Sequence, residues 1–473
     1  MRFSNQGRLR QQVRFLRRQY LQDQALPFSD ILTDEFIGQA LAAVEGVWKD
    51  RIYTPLITLW VFLSQVLNPD HSCRGAVARL IAHRLSQGQR PCSPETSAYC
   101  QARIRLPEKF FSAVTRLVGR ALDAKAHAKW LWKGRRVYMF DGTTVNMPDT
   151  PANQQAYPQA YNQKPGLGFP IARVGALISL SCGAIVNLGI CRYAGKGQGE
   201  VSLLRQLWDV MCPGDVLLTD CLMANWLNIF LLQQRGIELV SRLNKANRKA
   251  DFRRGKRLEN HDHIVRWYKP NGIRSLDWKT YHTLPEYITI REALVRVTQP
   301  GFRTKTIVVV TTLLDHRKTT REELATLYRA RWNNELDLRS LKCTMQMDNL
   351  RCKTPEQVRK EIWTHSLAYN LIRTIMAQAA TTHGVEPRSI SFKGACQMVE
   401  AFQPLIELQA AHDSKRRLEL YHHLLGAIAS QRVADRPDRF EPRMKKQRPD
   451  HYRGLMRPRA EIKRLMAKGF RNI

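Results

Sequence analysis

Tyr328, Arg331, Glu335 and Lys342 stand at intervals of three, four and seven in the stretch YRARWNNELDLRSLK. A carboxylate between two cations suits a site that handles phosphates. The carboxylate offers hard oxygens to a divalent metal, an arginine grips phosphate in bidentate fashion, and a lysine acts as a point charge. Thr320 with Glu323 three residues on is a capping-box start, and Leu324, Leu327, Leu338 and Leu341 recur at helical spacing, so the stretch is predicted to be one helix. At about 100° per residue the four polar side chains share an arc of about 60°. Leu324, Leu327 and Leu338 fall on or beside that arc, so the quartet is expected to face the protein. Asp337 points about 180° away by the same arithmetic. The plainer reading is a salt-bridged seam, with Glu335 paired to Arg331 one turn back, as helices often use.

Two aspartates upstream end predicted strands. Asp141 closes the apolar run Tyr138-Met-Phe-Asp141 and is followed by Gly142, where a backbone or a phosphate can approach closely. Asp220 closes Val216-Leu-Leu-Thr-Asp220. Either aspartate alone reads as a turn cap. Adjacent strands that end in aspartates place both carboxylates at one sheet edge, and the quartet helix packed on that sheet brings Glu335 to meet them. Asp149 lies past Pro148, outside its strand, and Asp215 begins its strand at the wrong end, so both are set aside.

With all four letters in register, Trp332 after the arginine, and two aspartate motifs, the chain resembles the DDE transposases of bacterial insertion sequences. The group in question carries the Tyr-Arg-Glu-Lys signature. The resemblance is strongest from 136 to 345, and TPLITLWVFLSQVLNPDHSCR and TSAYCQARIRLP resemble the group's N-terminal region. It implies a ribonuclease-H-like α/β core with Asp141, Asp220 and Glu335 as catalytic residues and metal ligands. They would hold two Mg²⁺ ions about 4 Å apart, with Mn²⁺ as a substitute. It also implies Tyr328, Arg331 and Lys342 as contacts to DNA phosphates. In relatives the cut often passes through a DNA hairpin, with a flipped base stacked on an aromatic. Here the strand before the quartet helix is aliphatic, Ile307 to Val310, so the candidates for a stacking ring are Trp267, Tyr268 and Trp278.

Charge points to the same partner. The 473 residues hold 75 Lys+Arg against 41 Asp+Glu, a formal net charge of +34. Nucleic acid is the first candidate for so basic a chain and an anionic membrane surface the second. A hydrophobic content of 44% argues against a mostly disordered basic protein. The longest apolar run, Pro55 to Leu67, is too short to span a membrane. Ten cysteines with no C-x-x-C pair argue against zinc ribbons and a disulfide scaffold, and fit a reducing cytoplasm.

Residues 1–130 read as helices, over Leu32 to Val47, Thr54 to Val66, Ser72 to Leu85 and from Ser97. They are expected to form an N-terminal DNA-binding region. The first part of the core is expected over 131–242. Its strands are Arg136 to Asn146, Ile171 to Leu180, Ala184 to Tyr193, Asp215 to Thr219 and Ile237 to Arg242, with a helix from Ser202 to Met211. A β-rich insertion is expected over 243–300, with strands around Ile264 to Tyr268, Ser275 to Tyr281 and Ile288 to Val297. It opens on a basic run whose Lys245, Arg248, Lys249, Arg253 and Arg254, with Trp278, are candidate DNA contacts. The second part of the core, 301–350, holds the strand Lys305 to Leu314 and the quartet helix. A helical C-terminal region follows over 351–431, then a basic tail, 432–473, expected to be partly disordered without DNA.

The sequence therefore predicts a transposase that binds transposon ends, cuts DNA and transfers strands to target DNA. It is expected to act as a homodimer when assembled on double-stranded DNA, in a bacterial cytoplasm at the nucleoid, with no membrane partner. The rivals are a non-catalytic DNA-binding protein derived from a transposase and a metal-dependent nuclease without strand transfer.

Overall fold

The computed structural model describes Phe28 and residues 31–44, 51–273, 275–296, 306–409, 413–433 and 455–469. Its N-terminal third is helical: α1 (Asp34–Ala42), α2 (Pro55–Leu67), α3 (Cys73–Ser86), α4 (Ser97–Arg105) and α5 (Glu108–Ala124). Local chemistry sets the starts. The Thr54 hydroxyl accepts from the Ile57 amide and Ser72 from Gly75, relieving amides that a first helical turn leaves without partners. Pro55 stands at the first turn of α2, where its missing N–H costs nothing. Helix α2 is buried along almost its whole length, as its unbroken apolar sequence requires.

Then comes a mixed α/β region. In chain order it holds β1 (Val137–Asn146), α6 (Pro151–Ala156), β2 (Ile171–Ser179), β3 (Ile185–Arg192), α7 (Glu200–Leu207), β4 (Val216–Leu218), α8 (Trp226–Gln234), β5 (Glu238–Arg242), β6 (Lys256–Glu259), β7 (Asp262–Tyr268), α9 (Trp278–Thr283), β8 (Tyr287–Arg296) and β9 (Thr306–Thr311). All nine strands join one sheet in the order β3-β2-β1-β4-β5-β9-β8-β7-β6. Strand β1 runs antiparallel to β2 and parallel to β4, and β4 parallel to β5. Side chains alternate between the faces of β1: Val137, Met139 and Val145 enter one core, Tyr138 and Phe140 the other. Strands buried on both faces read as continuous apolar runs, as YMF and VLL do.

Among the described residues that follow, the structure is helical: α10 (Arg321–Ala330), α11 (Trp332–Arg339), a π turn (Ser340–Thr344), α12 (Pro355–Thr382), α13 (Phe392–Gln409), α14 (Ser414–Ser430) and α15 (Arg459–Ala467). Helix α12 is the inner beam, buried over most of its length. The Thr115 hydroxyl donates to the Trp363 carbonyl, and the Asn370 side chain bonds both the amide and the carbonyl of Ile185, tying α12 to α5 and β3. Among the described residues no helix is long and apolar enough to cross a membrane.

Several expectations are revised. Ser275 to Tyr281 is not a strand: the Asp277 carboxylate accepts from the Thr280 amide and starts the short helix α9. The strands of the expected β-rich insertion, β6 to β8, extend the main sheet beyond β9. The quartet stretch is not one uniform helix but α10, α11 and a π turn. In the tail, α15 occupies 459–467, while 434–454 and 470–473 lie outside the described residues.

Candidate active site

Strand register decides where the two aspartates stand. Met139 pairs with Leu218, the last pair of the parallel β1–β4 ladder, so Asp220 follows two residues past the end of β4 while Asp141 stands two residues further along β1. Past Leu218 the chain turns: the Asp220 carboxylate accepts from the Leu222 amide at 3.0 Å, and Ser241 donates to the Asp220 carbonyl at 2.6 Å. Asp141 is 24% exposed and accepts from the Gly142 amide at 2.8 Å. Burial pushes its carboxyl up to about 6; the Gly142 amide and Arg331 oppose this, and the charges of Asp220 and Glu200 add to it. A carboxylate held in so unwelcoming a place is a common mark of a functional site.

The signature stretch reaches this edge through an anchored start. The capping box at Thr320 and Glu323 is formed in both directions. Arg291, fully buried on β8 against Asp262, donates to the Thr319 carbonyl at 2.7 Å, and Arg321 donates to the Leu294 carbonyl. The far strands of the sheet thus fix the entry of α10. Arg331 stands at the break between α10 and α11 (φ −52°, ψ −31°), where its amide bonds back to the Tyr328 carbonyl three residues earlier, a tight 3₁₀-type turn.

Arg331 is the hub. It is 16% exposed, it lies 3.8 Å from Asp141 and it donates to Glu335 at 2.6 Å. Burial works against its charge, but the Glu335 hydrogen bond, with Tyr328 and Asp141 near, holds its pKa above the usual value. Tyr328 is buried. That burial raises its hydroxyl pKa against the pull of Arg331 and Arg242, with Asp220 and Cys221 adding to the rise. Asp141, Asp220, Tyr328, Arg331 and Glu335 therefore share one electrostatic neighbourhood. The i, i+4 pair of Arg331 and Glu335 read from the sequence as the plainer alternative is present, alongside the link to Asp141. Lys342 lies half-buried in the π turn, outside these ion pairs. No group of three acidic, histidine or cysteine side chains among the described residues is close enough to hold a metal ion; Arg331 stands between Asp141 and Glu335.

The aspartates set aside lie elsewhere. Asp149 accepts from Gln154, and Asp215, at the other end of β4, accepts from the Cys212 amide. Asp337 is fully buried between Arg373 and Arg388. Of the candidate contacts in the connection between β5 and β6, Lys245, Arg248, Lys249, Arg253 and Arg254 are exposed, with Asp251 paired to the last two. Trp267 is buried, donates to Glu292 and is covered by Arg248 at 4.3 Å, so it has no open face for a base. Tyr268 and Trp278 are exposed, Trp278 by 75%.

Sequence reasoning missed Glu200. It begins α7, pairs with Arg173 at 2.6 Å, and fills the space that a side chain at Gly142 would need: a Cβ there would stand 2.7 Å from the Glu200 carboxyl. Gly142 thus makes room for the Glu200 carboxylate. The only signal was an acidic residue just after the glycines of the Gly195 to Gly199 turn, where helix starts favour negative charge.

Residues 132–371 match the family model described as the transposase DDE domain. The transposase InsG for insertion sequence element IS4 of Escherichia coli (strain K12) is 28% identical over 431 residues, covering 89% of this chain and 92% of that protein. A cryo-EM structure of the piggyBac transposase synaptic complex with hairpin DNA aligns at a TM-score of 0.41 and 9% identity, over 88% of this chain and 87% of that one.

Proposed function

The chain belongs to the transposase DDE domain family, and from that premise we propose that it binds the ends of an insertion element, cuts DNA there and joins the ends to target DNA by two-metal-ion phosphoryl transfer. The observation that carries this reading is the desolvated Asp141 carboxyl, with the charge of Asp220 close enough to raise it further and Glu335 joined to it through Arg331.

The donor set fits a divalent cation in kind. Its oxygens are hard, and the penalty on the Asp141 charge is one that a cation relieves. Asp141, Asp220 and Glu335 would hold Mg²⁺, or Mn²⁺ in its place. Such ions, when bound, activate a water or 3′-hydroxyl and stabilise the leaving oxygen. The chain's own groups do the rest. Arg331 exchanges its carboxylate contacts for a phosphate and orients it in bidentate fashion. The Tyr328 hydroxyl, kept protonated by burial, donates to a phosphate oxygen. Lys342 adds a point charge from the π turn, a helix distortion often found at functional sites.

In this reading β1 to β5 with β9 form a ribonuclease-H-like core, and Tyr328, Arg331, Glu335 and Lys342 are the signature of the Tyr-Arg-Glu-Lys group. The core runs over 131–242 and 301–350. Residues 243–300 are an insertion that lengthens its sheet and presents Lys245, Arg248, Lys249, Arg253, Arg254 and Trp278 to double-stranded DNA. The helices of 1–130 bind transposon ends, and the helical region 351–431 and the basic tail 432–473 complete the chain. The active assembly is a homodimer on DNA, at the bacterial nucleoid. The test is end cleavage and strand joining on DNA carrying the element's ends, with Mg²⁺ and an Asp141→Asn control. A wild-type protein that binds these ends and leaves them intact would overturn the catalytic reading; cut ends that are never joined would reduce it to a nuclease.

A further inference from the structure

The most unusual charge outside the site is Arg103 on α4. Its side chain is only 7% exposed, and a buried guanidinium needs an anionic partner. Among the described residues no carboxylate hydrogen-bonds to it. Glu361, a buried carboxylate that feels its charge, accepts instead from the amides of Arg351 and Cys352. The acceptors around Arg103 are sulfurs: Cys73 at 3.7 Å, Cys100 at 3.9 Å and Cys352 at 4.0 Å, with the Gln65 oxygen at 3.3 Å. The rings of Phe62 and Tyr99 lie 4.7 and 4.8 Å from the guanidinium carbon.

Two of these sulfurs accept from the same Arg103 nitrogen, Nη2: Cys73, which opens α3, and Cys100, in the first half of α4 one turn before Arg103. The neighbouring Cys73 thiol and the Arg103 charge bring Cys100 down to about 6 against its burial, while Cys100 and burial push Cys73 up. Both are half-buried, and a cavity of about 540 Å³, lined by Cys73, Arg74, Pro94, Glu95 and Thr96, opens onto Cys73.

We propose that Cys100 and Cys73 are an oxidant-reactive thiol pair, in which Cys100 attacks a peroxide and Cys73 closes a reversible disulfide between α3 and α4. The Cys100 thiolate attacks one oxygen of hydrogen peroxide, the O–O bond breaks, and hydroxide leaves, giving a sulfenic acid. The Cys73 sulfur then displaces that oxygen, which departs with both protons as water. Two electrons pass from the two sulfurs to the peroxide. The product neutralises the anion nearest Arg103, so oxidation leaves the guanidinium buried without its counter-charge. Transient disulfides of this kind are the usual form in reducing compartments.

The experiment uses the full chain, treated with hydrogen peroxide, blocked with N-ethylmaleimide and digested without reductant. Mass spectrometry should find a peptide linked through Cys73 and Cys100, and dithiothreitol should abolish it. In Cys73→Ser, Cys100 should accumulate as sulfenic acid trapped by dimedone; in Cys100→Ser, Cys73 should stay reduced. A wild-type chain in which both thiols remain alkylatable, or in which Cys100 sulfenic acid persists unlinked, would overturn the pair.

Discussion

Glu335 and Asp337 stand two residues apart on α11 and face opposite surroundings. Glu335 is 37% exposed and bonded to Arg331, whereas Asp337 is fully buried and bonded to Arg373 and Arg388. Arg388 also donates to the carbonyls of Ser179 and Leu180, so Asp337 bolts the helix to both α12 and the end of β2. One carboxylate holds the helix in place, and the other is left at the surface to be used. Removing one partner of a buried ion pair strands the other, at about 3–5 kcal/mol. Asp337→Ala should lose stability on that scale in denaturant titration, and Glu335→Gln less than about 1 kcal/mol. Equal losses would show that the two carboxylates do not differ in role.

Asp141→Asn should separate stability from activity. Burial penalises the Asp141 charge, so the amide should melt no lower than the wild type, as is common where a strained functional group is removed. End cleavage should fall by more than about a hundredfold, the upper range for losing an outer partner of a metal ligand. Cleavage retained in a folded Asp141→Asn protein would remove this residue from the site.

For Lys342 the competing roles are structural and phosphate-binding. It lies outside the Asp141–Arg331–Glu335 ion pairs, so Lys342→Ala should hardly move the melting temperature. Losing a charged hydrogen bond to phosphate costs about 1.5–3 kcal/mol, or about tenfold to a hundredfold in end binding or cleavage. A large drop in melting temperature with cleavage per folded molecule preserved would assign Lys342 to the fold.

Exposed cations in the connection between β5 and β6 make a quantitative prediction about salt. If Lys245 and Lys249 both neutralise phosphates, replacing both by Ala should make the slope of log affinity against log salt shallower by about 0.9 for each phosphate no longer neutralised. The measurement is DNA binding from about 50 to 200 mM salt. An unchanged slope would place DNA elsewhere.

Acid should weaken the join between the N-terminal helices and α12. His365 is fully buried against His71, and burial, then the His71 charge, brings it down to about 3. The folded protein therefore binds fewer protons than the unfolded chain between about pH 3 and the ordinary histidine value of about 6.5. Its stabilising contribution is present above pH 6.5 and is lost as pH falls. Between pH 7 and 5.5 the loss should be about 1 kcal/mol from this residue. His365→Phe should flatten that part of the profile; a profile unchanged in the variant would point to other groups.

Much of this was legible in the sequence because period and register are local. The runs YMF and VLL announce strands, Thr320 with Glu323 announces a helix start, and Asp220 falls just past its strand as read; Asp141, read as a strand end, instead stands inside β1, which pairs it with Ala176 and runs on to Asn146. What escaped detection depends on distant partners. Uniform helical arithmetic through Lys342 could not foresee the break at Arg331 or the π turn, since no proline or glycine marks either. Glu200 was invisible because its meaning lies in the space that Gly142 leaves. The burial of Asp337 was also misread, since its cations come from Arg373 and Arg388, each at least 36 residues further on.

The packing of α12 on α5 sets an order of events during synthesis. Thr115 meets the Trp363 carbonyl across 248 residues of chain, and Asn370 meets Thr115 across 255. While the ribosome is still making the sheet, the apolar faces of the N-terminal helices have no cover, and pairings so distant in sequence form slowly. A nascent or prematurely ended chain that stops before α12 would present those faces to chaperones and proteases.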